Sequence, residues 1–552
     1  MYISFHMHRY RSFSAAAFVV VVCALVGGLF GRSALVAQDQ IPGQYEVFAS
    51  ALSAIEEHYV GDIEADRLVY GAITGMLQTL DPHSSFMDPR SYAQMRERQE
   101  GRYYGLGISI QVITGDITIA TIFEGSPAYE TGLRRGDIIA KIEGEDTKGW
   151  LVEQAVGKLR GPKGTTIGIS IRRAGYEKLI DLQVRRDEVR MPTVPAAVML
   201  DAQTGYIKIG IGEQGFGENT DQELGRALKD LTQQGMKRLI IDLRDNPGGA
   251  LDQAIKVSNR FLPKGQLIVY TRGRAPNSDQ DYHATETSDY LNVPMITLVN
   301  RNSASASEIV AAALQDHDRS LIVGETTFGK ALVQSVYKVQ QAGAAITTAR
   351  YYTPSGRLIQ RPWDGTFDEY LTYRFREQDA NKEHRTEDLM YTDSGRKVYS
   401  GGGVEPDNRF DGPVEGFRPT RFVRALYARG LFDVYAQRFA RRGDTRITGA
   451  TPGAVRDLGP DYEVTPEMVA EFKELAQKSP LKWDEAAWQA DIDFVKAMIG
   501  KEIDVDLFGV AAAYRNLARR DPQLQFAATL FPDAQRLLEL SRNRPQGRRA
   551  ER

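Results

Sequence analysis

The sequence predicts an α/β protein, with an α/β core between a β-rich domain and a mostly helical region. Three observations carry this. From Gly101, apolar and β-branched residues alternate (Leu106, Ile108, Ile110, Val112, then Ile117 and Ile119), the period of half-buried strands. From about Thr193, strand-like runs alternate with helical ones, which argues for βαβ units. Beyond about Asp411 the apolar spacing is helical.

Bulk properties narrow the class. At 552 residues the chain is long enough for about three or four domains. A content of 42% hydrophobic and 26% charged residues is that of a globular protein, and a net charge of −3 argues against a general nucleic-acid binder. Arg542, Arg544, Arg548, Arg549 and Arg552 give residues 541–552 the look of a solvated basic tail.

Residues 1–37 read as a targeting segment. Arg9 and Arg11 precede an apolar run from Ala15 to Phe30, short against the roughly 20 residues of a full span. Ala34 and Ala37 offer small residues for a cut, although Leu35 fits that cut poorly. A cleaved signal peptide and a membrane anchor both send the remainder across the cytoplasmic membrane. The expected location is therefore the cell envelope, periplasmic or anchored and facing outward. Cys23 is the sole cysteine and lies in the run, so the exported part has no disulfide and no Cys metal site. Val20-Val21-Val22 ahead of it lacks the small residue of a lipid-modified cysteine. His83, His283 and the other histidines show no metal-ligand spacing, and neither metal nor cofactor is expected.

After a linker, residues 45–100 form an N-terminal helical segment. Leu68, Val69, Ile73, Met76, Leu77 and Leu80 keep a helical period until Asp81-Pro82, and Tyr92–Glu100 suggests a further short helix. Residues 101–188 make the β-rich domain. Ile138 to Ile142 reads as a strand, Trp150–Leu159 as its one main helix and Thr166–Arg172 as its closing strand. Residues 189–363 with 398–410 form the core, with strands expected at Tyr206–Ile211, Arg238–Leu243, Leu267–Tyr270, Met295–Val299, Leu321–Val323 and Ala345–Tyr351. Helices are expected at Thr220–Gln234 and Leu251–Phe261. Residues 364–397 are polar and read as an insertion. Residues 411–540 are the helical region, where Thr465-Pro466 supplies an N-cap and a first-turn proline.

The chemistry concentrates between Asn302 and Gln334. Ser303, Ser305 and Ser307 alternate with alanines at the start of an apolar helix, whose first N–H groups are free to face a developing oxyanion. A plain helix cap explains this stretch alone equally well. Lys330 then follows on a Gly-flanked turn in apolar surroundings. A lysine ordinarily titrates near 10.4, and burial lowers it, which lets a desolvated lysine serve as base to a serine. Gln334 can orient the amine, or be a strand residue only. Asn246-Pro247-Gly248-Gly249 makes a turn that offers a further N–H or is merely structural. His317, between Asp316 and Asp318, invites a triad reading but fits a solvated histidine at a helix end.

The chain resembles the carboxyl-terminal processing peptidases, or tail-specific proteases. The matching stretches are LDPHSSFMDP from Leu80, YYGLGISI from Tyr103, GSPAYETGLRRGDII from Gly125, LRGPKGT from Leu159, IIDLRDNPGGALDQA from Ile240, NRNSASASEI from Asn300, VGETTFGKALVQ from Val323 and TTARYYTPSGRLIQ from Thr347. They recur in family order over about residues 45–362. The resemblance implies Ser305 as nucleophile, Lys330 as general base, Gln334 as its positioning residue, and the N–H groups of Gly249 and Ala306 as oxyanion hole. It implies a PDZ domain whose Gly105, Leu106, Gly107 and Ile108 hold a substrate carboxylate while the tail adds as a strand. It also implies a coupling role for Arg160 and a crotonase-like spiral core. The chain departs from the family pattern in the 364–397 insertion, in His317 where many members carry an aromatic, and in the helices after residue 411.

The expected function is a serine endopeptidase that recognises unstructured apolar C-termini and cleaves through a Ser-Lys dyad and an acyl-enzyme. Its partners are protein or peptide C-termini, without nucleic acid. A catalytically inactive PDZ scaffold or adaptor is the alternative, and a crotonase-type acyl-CoA enzyme a third reading. Dimerisation or other homo-oligomerisation, partner contact and cover of the active site stay open for the C-terminal helices.

Overall fold

The computed structural model describes residues 43–113, 115–173, 175–210, 212, 214–363, 370, 372–373, 384–410, 419–442 and 455–542. The apolar run at Ala15–Phe30 and the basic tail from residue 543 onward lie outside them. Among the described residues no helix is long and apolar enough to cross a membrane. The chain divides into two compact units between Asp88 and Pro89.

The first unit carries α1 (43–58), α2 (Ala65–Gln78) and β1 (Ser85–Met87). Asp81-Pro82 follows α2 as expected. The Asp81 carboxylate accepts the N–H groups of His83 and Ser84, both at 2.8 Å, so an Asx turn replaces the next helical turn.

The second unit opens with α3 (Pro89–Glu100), then β2 (Arg102–Gly105), β3 (Ile108–Ile113), β4 (Asp116–Ile122) and the short α4 (Pro127–Glu130). The β-rich domain continues through β5 (Ile138–Ile142), β6 (Glu145–Asp146), α5 (Val152–Leu159), β7 (Thr166–Arg172), β8 (Ile180–Arg185) and β9 (Asp187–Arg190). Its main sheet runs β3-β4-β5-β7-β8, with β6 on β5. The strand expected to close it, β7, is therefore interior. β8 pairs along its length because Ile180, Leu182 and Val184 alternate toward the same core. α5 packs Ala155 and Leu159 into that core.

The core comprises β10 (Ala196–Met199), β11 (Thr204–Lys208), α6 (Thr220–Gln233), β12 (Arg238–Asp242), α7 (Leu251–Asn259), β13 (Leu267–Arg272), β14 (Gln280–His283), β15 (Met295–Val299), α8 (Ala306–Asp316), β16 (Leu321–Gly324), β17 (Leu332–Val339) and β18 (Ala342–Tyr352). Residues 384–410 add the hairpin β19 (Leu389–Tyr391) and β20 (Lys397–Tyr399), then β21 (Asn408–Arg409). A six-stranded sheet runs β10-β11-β12-β15-β16-β21, parallel from β11 onward. In β12, Leu239 and Ile241 face the cluster with α6, α7 and α8, whereas Ile240 faces the other way. A second sheet places β13 between β14 and β18, with β17 on β18.

The helical region consists of α9 (Arg421–Ala428), α10 (Leu431–Ala436), β22 (Phe439–Arg441), β23 (Arg456–Leu458), α11 (Pro466–Gln477), α12 (Glu485–Ala490), α13 (Ile492–Phe508), α14 (Val510–Ala518), α15 (Pro522–Thr529) and α16 (Phe531–Arg542). Thr465 caps α11 as the sequence suggests, accepting the Met468 N–H at 3.3 Å. The region splits its duties. α9 to α13 close a cluster around Phe432, Phe472 and Trp488. Leu524, Ala527, Phe531, Ala534 and Leu537 instead cover the second face of the six-stranded sheet, against Ile240, Ile296 and Leu298. The C-terminal helices are thus a layer of the core, which a sheet with two apolar faces requires.

The β-rich domain is joined to α10 and α13 through Arg135. Its guanidinium reaches Asp433 at 2.6 Å, Glu502 at 2.5 Å and Asp506 at 3.7 Å. Sharing one cation, the carboxylates diverge. Burial pushes Asp506 up to about 7, while Lys501 and Arg135 hold Glu502 low against its own burial. We expect Arg135→Ala to cost about 3 kcal/mol at pH 8, because it strands buried carboxylates. The raised Asp506 gains its proton as pH falls through about 7, so the loss is smaller at pH 5. Urea unfolding at both pH values measures this.

Candidate functional site

α8 begins where β15 and a tight loop deliver Ser305. Ser305 sits at φ 54 and ψ −113, a conformation costly for any residue with a side chain. Packing enforces it. The loop after β12 runs beneath, with the Asn246 carbonyl accepting the Ala304 N–H at 3.1 Å and the Ser307 hydroxyl at 3.0 Å. Gly248 lies so close that a Cβ there would stand 2.7 Å from the Ser305 Cβ and 2.9 Å from the Ala306 nitrogen. Phe216 bonds to the carbonyl of Gly248 and the N–H of Ala250, pinning Gly249 between them at φ +145. Among the described residues neither the Gly249 nor the Ala306 N–H has an acceptor.

Glu308 is the centre of the arrangement. It is fully buried, and its carboxylate takes the N–H of Ser305 at 2.8 Å and of Lys330 at 2.9 Å on one oxygen. The other oxygen takes the Gly329 N–H at 2.7 Å and the Thr327 hydroxyl. Burial pushes its carboxyl up to about 7, against these donors, which favour the ionised form. Tyr351 makes a second tie, its hydroxyl lying 3.2 Å from the Ser305 carbonyl and 2.5 Å from that of Lys330. Lys330 Nζ donates to Gln334 Oε1 at 3.0 Å. A bulge between Val333 and Gln334 breaks the β17 register where this contact is made.

The structure therefore brings Ser305, Ala306, Gly249, Lys330 and Gln334 to one place. It puts Gly105, Leu106 and Ile108 on a groove of about 720 Å³ between β3 and α5, while Gly107, between them in the chain, does not line it. There the carbonyls of Leu106 and Gly107 accept the N–H groups of Ala128 and Phe123, the Gly107 N–H faces the Tyr103 hydroxyl oxygen, and the Leu106 N–H has no acceptor among the described residues. Arg160 borders this groove, paired with Glu97 at 2.7 and 2.8 Å and lying 5.3 Å from the Tyr103 ring centroid. Gln214, from the core, lines the same groove.

His317 corrects an expectation. It does end α8, but it is buried rather than solvated, with Nδ1 against Asp393 and Nε2 against the Leu267 carbonyl, both at 2.6 Å. Its neighbours are committed elsewhere, Asp316 to Arg357 and Asp318 to Arg396. Glu308 and Tyr351 were not singled out from the sequence. The Ser-x-x-Glu spacing of Ser305 and Glu308 is a readable capping signature. Tyr351 carries no local signal.

Two measurements test this geometry. Ser305→Gly, which relieves the positive φ, should unfold at higher denaturant than Ser305→Ala, by about 1 kcal/mol. Glu308 moves from 4.5 to about 7, so the folded state holds its proton longer, and its contribution to stability is full below pH 4.5 and lost as pH rises through about 7. At 1.36 kcal/mol per unit that is roughly 3 kcal/mol between pH 4 and pH 8, a slope that Glu308→Gln should remove.

Comparisons with known proteins agree with this layout. Residues 32–91 match the model for the activating protease CtpB N-terminal domain, 94–172 that for the PDZ domain and 203–366 that for peptidase family S41. A carboxy-terminal-processing protease of Bartonella bacilliformis is 40% identical over 318 residues, 57% of this chain and 72% of that protein. The carboxy-terminal processing protease CtpA of Bacillus subtilis is 34% identical over 62% of this chain and 74% of its own length. A carboxyl-terminal-processing protease of Synechocystis is 37% identical over 53% of this chain and 68% of its own. With an α/β core, a PDZ domain and helical flanks, the chain belongs to the carboxy-terminal processing proteases, serine-type peptidases of family S41.

Proposed function

We propose that the enzyme cleaves exported proteins near unstructured, apolar C-termini, using Ser305 and Lys330 as a dyad. One observation carries the assignment: the Glu308 carboxylate and the Tyr351 hydroxyl each bind both Ser305 and Lys330 through their main chains, so the two side chains leave one braced frame. Neutral Lys330 takes the proton from the Ser305 hydroxyl as its oxygen attacks the scissile carbonyl. Gln334 orients the amine. The N–H groups of Gly249 and Ala306 face the oxyanion of the tetrahedral intermediate. Lys330 then gives the proton to the departing amine, leaving an acyl-enzyme. Water attacks the ester, Lys330 receives one of its protons and returns it to Ser305, and the new C-terminus leaves as a carboxylic acid whose remaining proton passes to solvent.

The groove supplies recognition. Ile108, Ile110, Phe123, Val156 and Leu159 line it, which suits an apolar terminal side chain. The Leu106 N–H, which has no acceptor among the described residues, and the Gly107 N–H, which only the Tyr103 hydroxyl faces, suit the terminal carboxylate. Arg160, paired with Glu97 at 2.7 Å on the groove's border, is assigned the coupling of the PDZ domain to the active site. The export reading rests on Arg9, Arg11 and the apolar run after them.

Mass spectrometry of a reporter with a disordered apolar tail tests the reading. The parent should cut it, and Ser305→Ala and Lys330→Ala should lower cleavage by at least about a thousandfold. Amidating the reporter's C-terminus should raise KM. Tail binding without any cleavage by the parent would instead make the protein a scaffold.

A further inference from the structure

The insertion that separates GRLIQ from GGGVEPD reaches the turn bearing Lys330. We infer that Tyr370 and Tyr373 of this insertion are positioning residues for Lys330, acting through Gln360, Arg361 and Phe328; this rests on the Ser-Lys reading above. Tyr370 is only 3% exposed. Its hydroxyl accepts a hydrogen bond from Gln360 Nε2 at 3.0 Å, and the Gln360 Oε1 accepts the Ala331 N–H at 2.8 Å. Gln360 Nε2 also donates to the Arg361 carbonyl at 3.0 Å, so Tyr370 and that carbonyl together hold the amide with its oxygen toward the turn. Reversing that amide would set an NH2 against the Ala331 N–H, immediately beside Lys330.

Tyr373 works through the neighbouring arginine. The Arg361 guanidinium lies 3.4 Å from the Tyr373 ring centroid. It donates to the Phe328 carbonyl at 2.8 Å and to that of Thr327 at 3.3 Å, and the Arg361 N–H donates to the Gly329 carbonyl at 2.9 Å. Three consecutive carbonyls ahead of Lys330 are thus held by one residue, whose cation is covered by the insertion. Phe328 meets both tyrosines edge to face, at 5.4 Å from Tyr370 and 6.3 Å from Tyr373. Trp363 closes the cluster at 6.3 Å from Tyr370.

Glu308 and Tyr351 fix the inner side of the Lys330 turn, and these aromatics fix its outer side. A base displaced by a fraction of an ångström loses its alignment with the hydroxyl while tail binding in the groove continues. The expected signature is a fall in kcat without a change in KM.

The test uses the full chain. Steady-state cleavage of the tailed reporter and the rate of Ser305 phosphonylation by a fluorophosphonate, with loss of fluoride, are followed across pH for the parent, Ser305→Ala, Tyr370→Phe, Tyr373→Ala and Tyr373→Phe. Tyr370→Phe should lower kcat roughly tenfold, leave KM unchanged and shift the pH midpoint of phosphonylation. Tyr373→Ala should do likewise, with Tyr373→Phe recovering most of the loss because the ring is kept. Should Tyr370→Phe not fold, the Tyr373 pair carries the same comparison. Parent-like kcat with an unshifted profile in Tyr370→Phe and Tyr373→Ala overturns the inference. A rise in KM at constant kcat also overturns it, since the tyrosines would then touch substrate. If Ser305→Ala still cleaves, the dyad itself is wrong and the inference falls with it; if Ser305→Ala is dead and the tyrosine variants are unaffected, only the inference falls.

Discussion

A single buried carboxylate joins the two halves of the site. Glu308 stands on the first turn of α8 and collects donors from Ser305, Thr327, Gly329 and Lys330. A buried carboxylate is costly unless such donors surround it. Nothing local would bring the turn before β17 to the start of α8, since the segments are separated by a helix and a strand. The need to satisfy Glu308 does. The same residue holds Ser305 in a strained conformation, so the constraint that aligns the site also stores energy in it.

The parts remote from Ser305 are bound to that frame by charge and by packing. Asp242 ends β12 buried among Lys208, Arg244 and the Tyr206 hydroxyl, and these partners hold its carboxyl well below the ordinary range. Arg244 continues to Asp521 at 2.8 Å and to Gln523 at 3.0 Å at the start of α15. The loop that carries Gly248 and Gly249 thereby leans on the C-terminal helices. Those helices follow α13, whose Glu502 and Asp506 meet Arg135 of the PDZ domain. One helical region therefore touches both the recognition domain and the loop under Ser305, a continuity that neither domain supplies alone.

Much of this was legible. Ile240 between Leu239 and Ile241 reads as a strand buried on both faces, and the helices at Thr220 and Leu251 follow from their apolar spacing. The cap at Thr465 was readable because capping is a contact within one turn. The strand after β7 was passed over although Ile180, Leu182 and Val184 alternate with Asp181, Gln183 and Arg185 in a strand period; pairing with β7 turns the apolar set inward. His317 was misread because its partners, Asp393 and the Leu267 carbonyl, come from distant segments. Tyr351 was invisible for the same reason.

The sequence by itself determined the α/β class, with its PDZ domain, and the family, because periodicity and short motifs are properties of neighbouring residues. Tertiary structure alone decided that Glu308 and Tyr351 tie Ser305 to Lys330, that Tyr370 lies against the Lys330 turn, and that α14 to α16 cover the sheet. Each of these is a contact between segments far apart in the chain. Its energy exists only once burial has removed water from between them, and no local pattern records that event.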